Sequence, residues 1–111
     1  MENQKSQKLN LYWIDTLSGK KFSAGVGFHL AQYGEFRLKI DALSDEKQYF
    51  VKAVNSVDDR VNYRVEVVIK NNGRFSRRAE IGTGYMDENT GGYIYMDLGP
   101  FSRCLALHVE D

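Results

Sequence analysis

The chain has little of what catalytic, exported or membrane-bound proteins usually display. It holds one Cys, one Pro and two His in 111 residues. A lone Cys104 cannot close an internal disulfide, which points to a reducing compartment. The polar opening M-E-N-Q-K-S-Q-K has no apolar centre, so no secretory leader is expected. No apolar run approaches the roughly 20 residues of a spanning helix, so no membrane partner is expected either. A formal net charge of zero lacks the broad positive field of a dedicated duplex-DNA binder. No window long enough for a helix keeps apolar residues at 3.6 spacing. The expectation is a cytoplasmic, all-β protein.

Seven Tyr and six Phe support that class, because aromatic side chains suit a pleated, half-buried surface. Apolar residues at 42% and charged residues at 27% are ordinary globular values and exclude a disordered chain. The length suits one domain, residues 9–111, behind a flexible tail at 1–8.

Period-2 alternation then predicts eight strands. A first covers Leu9 to Leu17; a second carries Phe22, Ala24, Val26 and Phe28; a third carries Phe36, Leu38 and Ile40. A fourth runs from about Tyr49 to Val54, followed by a charged connector from Asn55 to Arg60. Tyr63, Val65, Val67 and Ile69 mark the fifth, which turns at Asn71-Asn72-Gly73, since Asn-Gly accepts positive φ cheaply. Ala79 to Tyr85, Ile94 to Leu98 and Leu105 to Val109 complete the set, with Gly99-Pro100 breaking the seventh.

The second half repeats the first at a separation of 53 to 58 residues. Ala24/Ile81, Gly25/Gly82, Gly27/Gly84 and Phe28/Tyr85 correspond, followed by Gly34/Gly92, Leu38/Met96, Ile40/Leu98, Leu43/Phe101 and Ser44/Ser102. Two similar four-strand halves, 9–55 and 61–111, each apolar on one side, must pack as a two-sheet sandwich or curl into a flattened barrel. The mid-strand glycines fit a bulge or sharp bend better than a phosphate loop, which would need a following helix.

The runs Ala24–Phe28, Gly34–Leu43, Asn62–Val65, Glu80–Tyr85 and Tyr93–Phe101 resemble, in that order, a family of small proteins of unknown function. That family (domain-of-unknown-function family 736) is found on conjugative plasmids and integrative elements of proteobacteria. Asn62 stands where the family has Pro-Asp, and Gly99-Pro100 where it has Asp-Asp-Pro. The resemblance implies a small all-β protein of a mobile element, and brings no catalytic residues with it.

Reactive groups are scattered. His29, His108 and Cys104 lack metal-ligand spacing, and no cofactor or metal is expected. The loop from Asp87 to Gly92 begins like a calcium loop but has Leu98 where a bidentate Glu belongs. No nucleophile has an evident base, so an enzyme is not expected. Two surfaces remain. If Ile94, Met96 and Leu98 face the core, Tyr93 and Tyr95 face outward as a low-entropy contact surface for a protein partner, reached there or along an unpaired edge strand. The same features suit a homodimer. The alternative is single-stranded nucleic acid held by Lys20, Lys21, Arg74, Arg77 and Arg78 at two equivalent hairpins.

Overall fold

The computed structural model describes residues 8–43, 47–99 and 103–109. The expected tail falls on residues outside these, except Lys8, which already belongs to the first strand. Pro100, Phe101, Ser102 and Ser44 also lie outside the described residues.

Eight antiparallel strands follow one another around a single ring-like sheet. They are β1 (Lys8–Ile14), β2 (Lys21–Leu30), β3 (Glu35–Ile40), β4 (Tyr49–Val57), β5 (Arg60–Asn71), β6 (Arg74–Met86), β7 (Tyr93–Leu98) and β8 (Arg103–His108). Each pairs with its chain neighbours, and β8 returns to β1 from Leu107↔Leu11 to Cys104↔Ile14. Among the described strands none is left wholly unpaired as an edge, which was one expected route to a partner.

Several boundaries differ from expectation: β1 ends at Ile14 instead of Leu17, with residues 16–18 in the turn, and β8 ends at His108 instead of Val109. The Asn55–Arg60 connector is mostly strand: β4 continues to Val57, and the turn is Asp58-Asp59 with both residues at positive φ. A register shift between Ala53 and Asn55 displaces Val54, which hides the alternation. At the other hairpin, Asn72 (φ 54°) and Gly73 (φ 78°) make the expected tight turn, but β6 starts at Arg74, so its arginines are strand residues.

The glycine pairs occupy matching places. Gly25 pairs with Ile40 and Gly27 with Leu38; Gly82 pairs with Leu98 and Gly84 with Met96. Beside them the register skips one residue in each hairpin, Ala24 against β1 and Ile81 against β5. A Cβ on Gly25 or Gly82 would collide with a backbone oxygen of the neighbouring strand, that of Lys39 or Asp97. The glycines thus occupy the inner face where two backbones come close, and Val26, Phe28, Thr83 and Tyr85, expected on the apolar side, face outward because of the register skips.

Alternate residues fill the ring. Leu11, Leu38, Ile40, Val51, Val65, Ile94, Met96, Leu98, Leu105 and Leu107 form one core, each large side chain stabilising by roughly 1.5–3 kcal/mol. Tyr49 and Tyr63 join it, and burial raises both phenol pKa values above the ordinary 10.0. A raised acid keeps its proton when the unfolded chain has lost it. Their contribution is therefore full below about pH 10 and is lost as pH rises through the folded values. In urea melts wild type should lose stability relative to Tyr49→Phe/Tyr63→Phe as pH rises above about 10; parallel curves would refute the assignment.

A tyrosine-lined outer groove

Residues paired across an antiparallel sheet share a face. The registers therefore place Asn62, Tyr85, Tyr95, Ala106 and Tyr12 in one row on the outer face. Arg64, Thr83, Asp97, Cys104 and Ile14 form the next row. Ala106 is fully buried although it faces away from the core, because its row neighbours Tyr12 and Tyr95 overtop its methyl group. A groove of about 700 Å³ runs along these rows, walled by Arg60, Arg64, Glu80, Tyr85, Tyr95 and Asp97.

Ile94, Met96 and Leu98 point inward as expected, which turns Tyr93 and Tyr95 outward. The structure joins them to side chains that sequence reasoning did not single out. Ring centroids are 6.1 Å apart for Tyr93–Tyr95 and for Tyr85–Tyr95, and 6.2 Å for Tyr12–Tyr93. His108 stacks on Tyr93 at 4.4 Å. Arg60 covers Tyr85 at 3.9 Å, and Lys21 reaches Tyr93 at 5.1 Å. Each aromatic pair contributes roughly 0.5–1.5 kcal/mol beyond its buried area, so the array is held in place before any partner arrives. Alternation groups Tyr85 with Ala79, Ile81 and Thr83 on one apolar face, but the register skip at Ile81 turns Thr83 and Tyr85 outward.

The groove cations are already engaged. Arg60 lies 3.8 Å from Asp87. Arg64 Nε lies 2.7 Å from Glu66, but the N–H does not point at the oxygen, so that contact is Coulombic and not a hydrogen bond. The Cys104 thiol is pushed up, first by burial and then by the Asp97 charge, so it stays protonated at neutral pH. Alkylation by iodoacetamide at pH 7 should run slower than for a free cysteine; a faster rate would reopen nucleophilic chemistry.

Across the ring, Phe28, Arg37 and Lys39 stand where the groove has Tyr85, Tyr95 and Asp97, and line a smaller hollow of about 370 Å³. The counterpart of the Lys21–Ala106–Tyr93 position, by contrast, is closed. Lys21 pairs with Ile14 at the third position beyond the β1–β2 register skip, and Arg78 pairs with Val68 at the third position beyond the β5–β6 skip. Arg78 lies 4.0 Å over Phe50, which stands where the second half has Ala106. It donates two hydrogen bonds to Glu35 (2.9 and 3.0 Å) and one to Glu66 (3.3 Å). Those bonds, the Glu35 one foremost, raise its pKa further. Arg78 therefore does not belong with the other basic side chains. Arg74 and Arg77 are exposed on the β5–β6 hairpin; Lys20 is exposed beside the β1–β2 turn and lies 5.1 Å over Phe22. The two hairpins share one end of the ring but are four strands apart, so they form no continuous strip.

The Asp87–Gly92 loop is closed by its own bonds: Thr90 Oγ1 donates to the Asp87 carbonyl (2.9 Å), and Asp87 Oδ1 accepts from Asn89 N–H (2.9 Å). Among the described residues no group of three His, Cys, Asp or Glu side chains converges, and no helix is long and apolar enough to cross a membrane. No protein-family model, no curated protein and no solved structure matches the chain.

Proposed function

We propose that the chain is a non-enzymatic binding module, two similar four-strand halves closed as a flattened barrel. In this reading it holds a segment of a protein partner against the outer face of β5–β8. The observation that carries it is the array Tyr85, Tyr95 and Tyr93, spaced 6.1 Å apart and anchored by Arg60, beside an open groove with charges of both signs. Tyrosines offer large contact area at small rotamer cost, and mixed charge suits a polypeptide better than a phosphate chain. The resemblance to a plasmid-borne family makes an accessory factor of a mobile element, or an inhibitor of a host system, the matching setting.

The test compares wild type with Tyr93→Ala/Tyr95→Ala in quantitative pull-downs from the native host, with circular dichroism reporting the fold. A partner retained by wild type should drop about tenfold or more in the variant, as expected when clustered interface aromatics are truncated. Equal recovery would overturn the reading.

One observation favours a second reading, single-stranded nucleic acid. Phe75 is 65% exposed between Arg74 and Arg77, and Phe22 is 49% exposed beneath Lys20, so each basic hairpin carries a ring on which a base can stack. A fluorescent oligonucleotide at low salt should then bind wild type and lose affinity steeply with salt and on charge reversal of Lys20, Lys21, Arg74 and Arg77. No binding at low salt ends this reading.

A further inference from the structure

On the outer side of this sheet, an aromatic ring next to carboxylates is twice found capped by an arginine of the chain itself. Arg78 covers Phe50 and bonds Glu35 and Glu66. Arg60 covers Tyr85 with Asp87 at 3.8 Å. A third combination has no such cap: Tyr95 and Asp97 stand two residues apart on the outer face of β7, and Glu80 lines the same groove. Among the described residues neither Asp97 nor Glu80 makes an ion pair, whereas the groove cations Arg60 and Arg64 each have one.

We propose that the groove accepts an arginine side chain from an extended segment of the partner, its guanidinium lying against Tyr95 and donating to Asp97 and Glu80. This deepens the protein-binding reading above and rests on it. Three observations select that occupant. The charge left uncompensated in the groove is negative, which repels a phosphate chain or an acidic peptide. Ring faces and carboxylates together match a planar, forked cation better than the compact ammonium of lysine. The groove, at about 700 Å³, is larger than one side chain, so it has room for the backbone on either side of the arginine. Elsewhere on the outer face, Arg78 meets the same demands from within the chain, lying over Phe50 and bonding Glu35.

The probe is a blocked pentapeptide, Gly-Ser-Arg-Ser-Gly, titrated into the full chain by two-dimensional NMR, with citrulline, lysine and glutamate versions as controls. Expected are saturable shifts at Tyr95, Asp97 and Glu80, with affinity about tenfold weaker for citrulline and weaker for lysine. Asp97→Asn/Glu80→Gln should lose that binding about tenfold while the remaining spectrum stays dispersed. No saturation by the arginine peptide, equal binding of citrulline, preference for glutamate, or shifts confined to another face would each overturn the proposal. So would a wild-type dimer that disappears in the Asp97→Asn/Glu80→Gln variant, which assigns the groove to a second copy. If that variant keeps a partner in pull-down which Tyr93→Ala/Tyr95→Ala loses, the arginine is wrong and the tyrosine surface stands.

Discussion

Gly25→Ala is expected to lower the unfolding free energy by about 3–5 kcal/mol, the largest effect expected of a methyl added at any described glycine. Two penalties combine at this position. Its φ of 146° is a conformation that side-chain-bearing residues rarely adopt, and the added Cβ would collide with the Lys39 carbonyl oxygen. That oxygen belongs to a backbone paired on both flanks of Gly25, through Val26↔Lys39 and Gly25↔Ile40, so it cannot withdraw without breaking the β2–β3 ladder. Gly19→Ala is the control. Gly19 also has positive φ (76°), but an added Cβ meets nothing within 4 Å, so only the conformational term of about 1–2 kcal/mol applies. Urea melts of both variants decide the matter. A Gly25→Ala loss no larger than that of Gly19→Ala would refute the close approach of the two backbones there.

Arg78→Ala should cost about 3–5 kcal/mol, far more than a surface arginine normally contributes. Glu35 is 6% exposed and Glu66 8% exposed, both on the side of the sheet away from the core. Without the guanidinium, Glu35 remains as a buried charge with no cation, and Phe50 loses its cover. The comparison is Arg78→Met/Glu35→Leu, which removes both charges and keeps apolar bulk over Phe50; it should recover most of the loss. Arg74→Ala, on the exposed hairpin, should change stability by no more than about 0.5 kcal/mol. If Arg78→Ala and Arg74→Ala behave alike, the cluster contributes nothing and Arg78 returns to the basic rim.

Arg78 also shows where sequence reasoning stopped. Its neighbours Arg77 and Arg74 make it look like one of three exposed cations, while its carboxylate partner Glu35 lies 43 residues away. No local pattern announces such a pair. The same holds for the groove. The outward turn of Tyr93 and Tyr95 follows from alternation within six residues of β7, but their junction with Tyr12 and Tyr85 depends on registers linking four strands. The Asp58-Asp59 turn escaped notice because the displaced Val54 breaks the alternation that would have carried β4 to its end.

What the amino-acid order settled by itself was local and periodic. The eight strands, the inward faces of β3 and β7 and the matching glycine positions follow from side chains alternating across a pleat and from spacing along one chain. In β2 and β6, by contrast, the register skips turn Val26, Phe28, Thr83 and Tyr85 outward, against the alternation. Tertiary structure alone decided that the strands join into one ring. It also decided that one outer hollow is sealed by Arg78 over Phe50, while its counterpart, with Ala106 in place of the phenyl ring, carries tyrosines beside an open groove. The reason is physical: burial and charge pairing depend on which strands lie side by side in space, and residues half a chain apart meet only after the sheet has closed.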